Sequence, residues 1–307
     1  MRSLLKGYLT LSRLPFHLVG IFPFLLGSVL SGSLFHSFNW SVFFLGIFAT
    51  ILIMLSTYYI GEYYDFEVDR LSALMERNRF SGGTQVLQKG LVPPSHAKIG
   101  AHITALLAIF IGLILQFHYN TGYLTIPLGI IGLVSGFFYS APPFRWVSRG
   151  IGEILIGICY GWLPVATAFY LQTGRIVEIV NWISIPIAVT IFNVILINEF
   201  PDYPADIIKK KKNLLVRIGK ESGALLYILM TLISWISFLL SFRKGIPLIG
   251  IIVYIPIFII TAILVLFMLQ KRYLDRDLLE KICAMTIFVN LGTTSSYIIA
   301  IGSSVFI

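Results

Sequence analysis

Two segments of this chain carry carboxylates at one repeated spacing: Glu62, Asp65 and Asp69 in GEYYDFEVD, and Glu199, Asp202 and Asp206 in NEFPDYPAD. On an α-helix the first set falls within about 60° of arc, so all three side chains project from one face. Such a face repels itself unless cations neutralise it. Hard divalent cations suit it, because Mg²⁺ takes one or two carboxylates together with phosphate oxygens and retained waters. Two facing sets would therefore hold Mg²⁺ around a diphosphate. In the second set Pro201 and Pro204 remove backbone donors, which predicts a broken helix end there.

Basic residues accompany the acids. Arg70, Arg77, Arg79, Arg145 and the run Lys209 to Lys212 match phosphate oxygens, arginine by its fork and lysine as a point charge. The glycines of SGGT, Ser81 to Thr84, either bring backbone N–H groups to an anion or form a plain turn. The competing reading of the basic residues is topological: cytoplasmic loops are rich in Lys and Arg with no ligand at all. The five histidines are scattered, and Cys159 and Cys283 lie in apolar runs without metal spacing, so no zinc site or disulfide framework is expected.

The elements that must position these residues are membrane spans. The chain has 307 residues, of which 57% are hydrophobic and only 12% charged, with a mean hydropathy of +0.88; soluble domains carry about 25% charged residues. Apolar runs of spanning length occur near 15–35, 39–61, 99–117, 121–141, 150–172, 176–199, 223–242, 246–269 and 281–302. The fold expected is an all-α membrane protein with nine transmembrane helices around a central cavity. No small-x-small cleavage site follows the first run, which is read as a span rather than a signal peptide.

With nine spans, every Lys and Arg except Arg175, Arg243 and Lys244 falls on the side of the N-terminus, and so does every acid except Glu178. That asymmetry predicts a cytoplasmic N-terminus and cytoplasmic acidic loops. The net charge of +9 is read as topology plus an anionic partner at the cytoplasmic face, not as nucleic-acid binding. Four spans separate the two acidic segments. Residues 1–307 are thus expected to form one domain with related halves, about 1–145 and 146–270, and 281–302 as an appended ninth helix. A cation-coupled transporter is the alternative of another class, although its coupling residues would sit near the bilayer midplane rather than at helix ends.

These segments resemble the UbiA superfamily of intramembrane prenyltransferases over essentially the whole chain. The resemblance rests on GEYYDFEVD and NEFPDYPAD, and on RFSGGTQVLQKG, YSAPPFR, GIGEILIG and NLLVRIGKESG. Gly61 stands where that family usually has Asn. The texture is nearest to the branch acting on 1,4-dihydroxy-2-naphthoate in menaquinone synthesis. The resemblance implies Mg²⁺-dependent transfer of a polyprenyl group from a polyprenyl diphosphate to an aromatic acceptor, at a bilayer such as the cell inner membrane. Other acceptors open to the superfamily are 4-hydroxybenzoate, haem and a glyceryl phosphate lipid. It implies Asp65, Asp69, Asp202 and Asp206 as catalytic metal ligands, with Glu62, Asn198 and Glu199 as further ligands. Arg70, Arg79, Tyr139, Arg145 and Lys210 would then bind substrate.

Overall fold

The computed structural model describes residues 2–36, 38–75, 78–80 and 82–303; Arg77 and Ser81 lie outside the described residues. Regular structure there is entirely helical: α1 (Arg2–Leu11), α2 (Leu18–Phe35), α3 (Trp40–Tyr64), α4 (Phe66–Ser72), α5 (Pro94–Leu113), α6 (Thr125–Ser140), α7 (Gly152–Gly157), α8 (Leu163–Thr173), α9 (Glu178–Ile208), α10 (Leu214–Ser241), α11 (Ile249–Leu269) and α12 (Arg276–Ser303). In hydrocarbon every backbone polar group must bond within the protein, and an apolar run of this length does so within itself by forming a helix.

Among the described residues, 8 helical segments are long and apolar enough to cross a membrane. The protein is an integral membrane protein. The nine expected runs reappear in order, but the fourth is short: α6 has 16 residues, about 24 Å of helix against a hydrocarbon core of about 30 Å.

The helices close into a ring. α2 packs on α8, α3 on α5 and α6, α9 on α10 and α12, and α12 returns to α2. Small residues permit the tight crossings, as at Gly27, where an added Cβ would lie 2.2 Å from the Val165 carbonyl oxygen. The largest apolar core joins α8 to α9–α12 through Phe169, Phe200, Tyr227, Phe238 and Tyr297.

The two acidic segments differ from expectation in where the helix breaks. The first is interrupted, with α3 ending at Tyr64, Asp65 outside helical geometry and α4 starting at Phe66. The second is continuous, because α9 runs through Pro201 and Pro204 to Ile208. Pro201 cannot donate to the Ile197 carbonyl, and the Cys283 thiol on α12 fills that vacancy at 3.7 Å. A neighbouring helix thus compensates the proline that sequence reasoning takes as a break.

Candidate active site

The ends of α3 and α9, together with the segments around 82–83 and 211–213, meet over a cavity of about 240 Å³. Glu62 is buried on the α3 side and accepts hydrogen bonds from Arg13 at 2.6 Å, the Thr84 backbone at 2.8 Å and the Thr84 hydroxyl at 2.9 Å. Asp65 accepts from the Ser140 hydroxyl at 2.7 Å, and Arg145 approaches its other oxygen at 3.4 Å. Asp69 is buried against Gly83, where an added Cβ would lie 2.2 Å from its Oδ2.

On the α9 side, Asp202 accepts from the Ser72 hydroxyl at 2.5 Å and from the Gly82 backbone N–H at 3.0 Å. Asp206 accepts from Asn213 at 2.7 Å and lies 3.9 Å from the Lys211 ammonium. The SGGT glycines therefore do bring backbone to anions, and the anions are the protein's own two carboxylate sets. A left-handed residue at Gly83, with φ of +63°, is what lets the loop pass between them.

Lys211 reaches the cavity through a helix stop. Lys210 adopts φ of +55°, while the Lys211 N–H donates to the Asp206 carbonyl at 2.8 Å and the Lys210 N–H to that of Ile207 at 3.1 Å. These are the paired bonds of a Schellman motif, and they fold the chain back over the end of α9. Burial alone would pull the Lys211 ammonium down, but Asp65, Asp206, Asp69 and Asp202 outweigh it and hold its proton well above the ordinary lysine value. Burial raises the Asp69 carboxyl well above the carboxylate range, and the charges of Asp65 and Glu62 add to this, with Lys211 and Arg13 opposing.

Of the residues singled out from the sequence, Glu62, Asp65, Asp69, Tyr139, Asn198, Glu199, Asp202 and Asp206 line this one cavity. Arg145 stands beside it through Asp65. Three basic residues are not in its lining. Arg70 pairs with Glu67 at 3.1 Å on the surface and Arg79 pairs with Glu280 at 2.5 Å, while Lys210 is exposed. Their side chains are long, flexible and solvated, so membership of a basic stretch does not fix direction. Arg13 and Asn213 line the cavity without having been singled out, and Lys211 lines it in place of Lys210 from the run Lys209 to Lys212. Asn213 carried a readable signal as the N-cap of α10, accepting from the Val216 N–H at 2.8 Å. Arg13 carried none, since its pairing with Glu62 joins residues far apart in sequence.

The donor set suits a hard cation, since it is almost wholly oxygen. Among the described residues, buried Asn198 Oδ1 and Asp206 Oδ1 have no hydrogen-bond partner, and buried acceptors left this way seek a cation or water. Among the described residues no three acidic, histidine or cysteine side chains converge as a complete metal cage. Mg²⁺ does not need one when phosphate oxygens complete its shell.

Fold and site together define a multi-pass membrane protein with an acidic, cation-compatible cavity at one end of its helical ring. Residues 20–292 match the model of the UbiA prenyltransferase family, and the chain belongs to that family. It is 26% identical over 204 residues to the 1,4-dihydroxy-2-naphthoate octaprenyltransferase of Bacillus subtilis (strain 168), covering 66% of this chain and 63% of that relative, so less than two thirds of the relative's length is matched. Among solved structures it resembles one described for digeranylgeranylglyceryl phosphate synthase, with a TM-score of 0.69 and 15% identity, covering 99% of this chain and 100% of the other. It also resembles a UbiA homolog from Archaeoglobus fulgidus bound to GPP and Mg²⁺, with a TM-score of 0.62 and 16% identity over 97% of this chain and 99% of that one. At those identities the structures speak for the fold alone.

Proposed function

We propose that this protein transfers a polyprenyl group from an isoprenoid diphosphate to an aromatic ring, in synthesis of a menaquinone-like quinone. The observation that carries the proposal is the convergence of Asp65, Asp69, Asp202 and Asp206, with Lys211, on one cavity. The relative named as a 1,4-dihydroxy-2-naphthoate octaprenyltransferase supports the choice of acceptor. The family match weighs against the transporter alternative, as do carboxylates placed at helix ends.

In this reading Asp65, Asp69, Asp202 and Asp206 hold Mg²⁺, flanked by Glu62, Asn198 and Glu199. When bound, Mg²⁺ supplies charge neutralisation for a diphosphate leaving group. Lys211 and Arg145 complement the diphosphate oxygens, and the Tyr139 ring faces the cavity, where its π-cloud shields an allylic cation. Arg70, Arg79 and Lys210, outside the cavity, add to the field that draws an anion towards it. The allylic C–O bond breaks, a ring carbon forms the new C–C bond, and the ring proton leaves to solvent. Acidic loops and N-terminus face the cytoplasm, at a cell inner membrane, so that a lipid-borne chain meets a water-borne head group at the same depth.

The test is purified protein with Mg²⁺, labelled prenyl diphosphates and a panel of 1,4-dihydroxy-2-naphthoate, 4-hydroxybenzoate, haem and a glyceryl phosphate lipid. Prenylated naphthoate is the expected product. Asp65→Asn and Asp202→Asn are each expected to lower turnover at least about a hundredfold, the scale lost when preorganised charge stabilisation is removed. The absence of any prenylated product, together with no Mg²⁺-dependent binding of diphosphate, would sink the proposal; near-normal turnover in both variants would remove the metal assignment.

A further inference from the structure

Glu153 lies on α7 and is fully buried, yet it does not line the acidic cavity and the reaction proposed above gives it no part. Its Oε1 accepts from the Leu214 backbone N–H at 2.9 Å, where α10 begins. The connection that ends there carries Lys211 and Asn213 to Asp206. We propose that Glu153 is a positioning residue: by holding the Leu214 N–H it fixes the turn that aims Lys211 and Asn213 at Asp206, and so governs diphosphate affinity without touching the diphosphate. The inference rests on the prenyl-donor reading above and adds to it a residue that acts through the cavity's own cation.

Three observations support this role. The start of α10 is not rigidly joined to its span: Gly219, with φ of +81° and ψ of 160°, breaks the helical geometry between residues 214–218 and the rest, in a region of backbone space that is essentially glycine's alone. The span therefore does not set the direction of that turn. Bonds from side chains do. Of the N–H groups that open α10, that of Leu214 goes to Glu153, that of Leu215 to Glu199 Oε2 at 3.3 Å and that of Val216 to Asn213 Oδ1 at 2.8 Å. Glu199 sits on α9, which already carries Asp206, and Asn213 belongs to the turn itself, so of these three bonds only that to Glu153 ties the turn to another helix. Arg217 also reaches outside, to the Ser148 carbonyl, but at 3.4 Å and exposed; buried Leu215 seats the turn on the core, but apolar contact has no direction. Finally, the turn is wired to the site, since Asn213 Nδ2 donates to Asp206 Oδ2 at 2.7 Å and the Lys211 ammonium lies 3.9 Å from Asp206 Oδ1.

The test measures Mg²⁺-dependent binding of geranyl and geranylgeranyl diphosphates to wild type, Glu153→Gln, Glu153→Met, Lys211→Met and the double variant of Glu153→Met with Lys211→Met, with thermal unfolding in detergent as the check on folding. Glu153→Gln keeps an acceptor oxygen for the Leu214 N–H and is expected to bind as wild type does. Glu153→Met removes that oxygen and is expected to raise the dissociation constants about tenfold, the scale of one directional hydrogen bond. The loss is expected to shrink when Lys211 is already replaced, because part of it passes through that ammonium. If Glu153→Met does not fold, Glu153→Asp, which keeps the charge but withdraws the oxygen by one methylene, takes its place with the same expectations. Affinity unchanged in the variant lacking the oxygen, a Gln variant as weak as the Met variant, or full additivity with Lys211→Met overturns this inference while leaving the prenyl-donor reading standing. Wild type that binds neither diphosphate overturns both.

Discussion

Gly83 places its α-carbon where Asp69 Oδ2 leaves no room for a side chain. Gly83→Ala must therefore displace either the loop or the carboxylate, and it also forces a left-handed backbone on alanine, at a cost of about 1–3 kcal/mol. Its expected signature is weakened Mg²⁺-dependent diphosphate binding together with a lowered thermal midpoint. Asp69 itself carries a pH dependence. Burial, then the charges of Asp65 and Glu62, raises its carboxyl, so the folded protein keeps a proton there that the unfolded chain has already lost. That contribution to stability is full below the ordinary carboxylate value and fades as pH rises through the raised one. Mg²⁺ competes with the same proton. Calorimetric titration is expected to show Mg²⁺ affinity increasing across that window, while the Mg²⁺-free protein loses thermal stability; Asp69→Asn should flatten both trends.

Between elements, the joint of α1 and α2 is tied to α3 by the Arg13–Glu62 ion pair and by the hydrogen bond between the Ser12 and Tyr59 hydroxyls at 2.8 Å. Arg13 sits in a left-handed turn with φ of +48° and donates to fully buried Glu62 at 2.6 Å. Removing one partner of such a pair leaves an uncompensated buried charge, which costs about 3–5 kcal/mol. Arg13→Gln is expected to lower stability towards the lower end of that range, since Thr84 still donates to Glu62, and Arg13→Lys to recover part of it. Denaturant unfolding in detergent measures both. The helix that sequence reasoning breaks at Pro201 stays whole because α12 delivers Cys283 to the freed carbonyl. The break that does occur, at Asp65, has no proline to announce it.

At the scale of the whole molecule, charge is sorted to the two ends of the ring. Lys244 pairs with Glu178 at 2.7 Å at the end away from the acidic cavity, while Lys212, whose carbonyl accepts from Arg217 at 2.8 Å, lies in the connection beside it. In sealed cells or inverted vesicles, a thiol reagent that cannot cross the bilayer is expected to label Lys212→Cys only from the cytoplasmic side and Lys244→Cys only from the opposite side. Labelling of both from one side would overturn the proposed orientation.

Composition and the length of apolar runs determined that this chain is a helical membrane protein, because a continuous apolar run of about 20 residues satisfies its own backbone in hydrocarbon as a helix, whereas barrel strands are about half as long and alternate in polarity. The repeated acidic spacing determined which segments face one cavity, and the loop glycines marked where backbone approaches charge. Only the tertiary structure decided which cations enter the cavity. Lys211 is turned inward and Lys210 outward by a single left-handed residue, and four consecutive lysines carry no register for such a turn. It likewise decided that Arg13 meets Glu62 and that Glu153 meets the start of α10. Both arise from the crossing of helices distant in sequence, and local spacing holds no record of them.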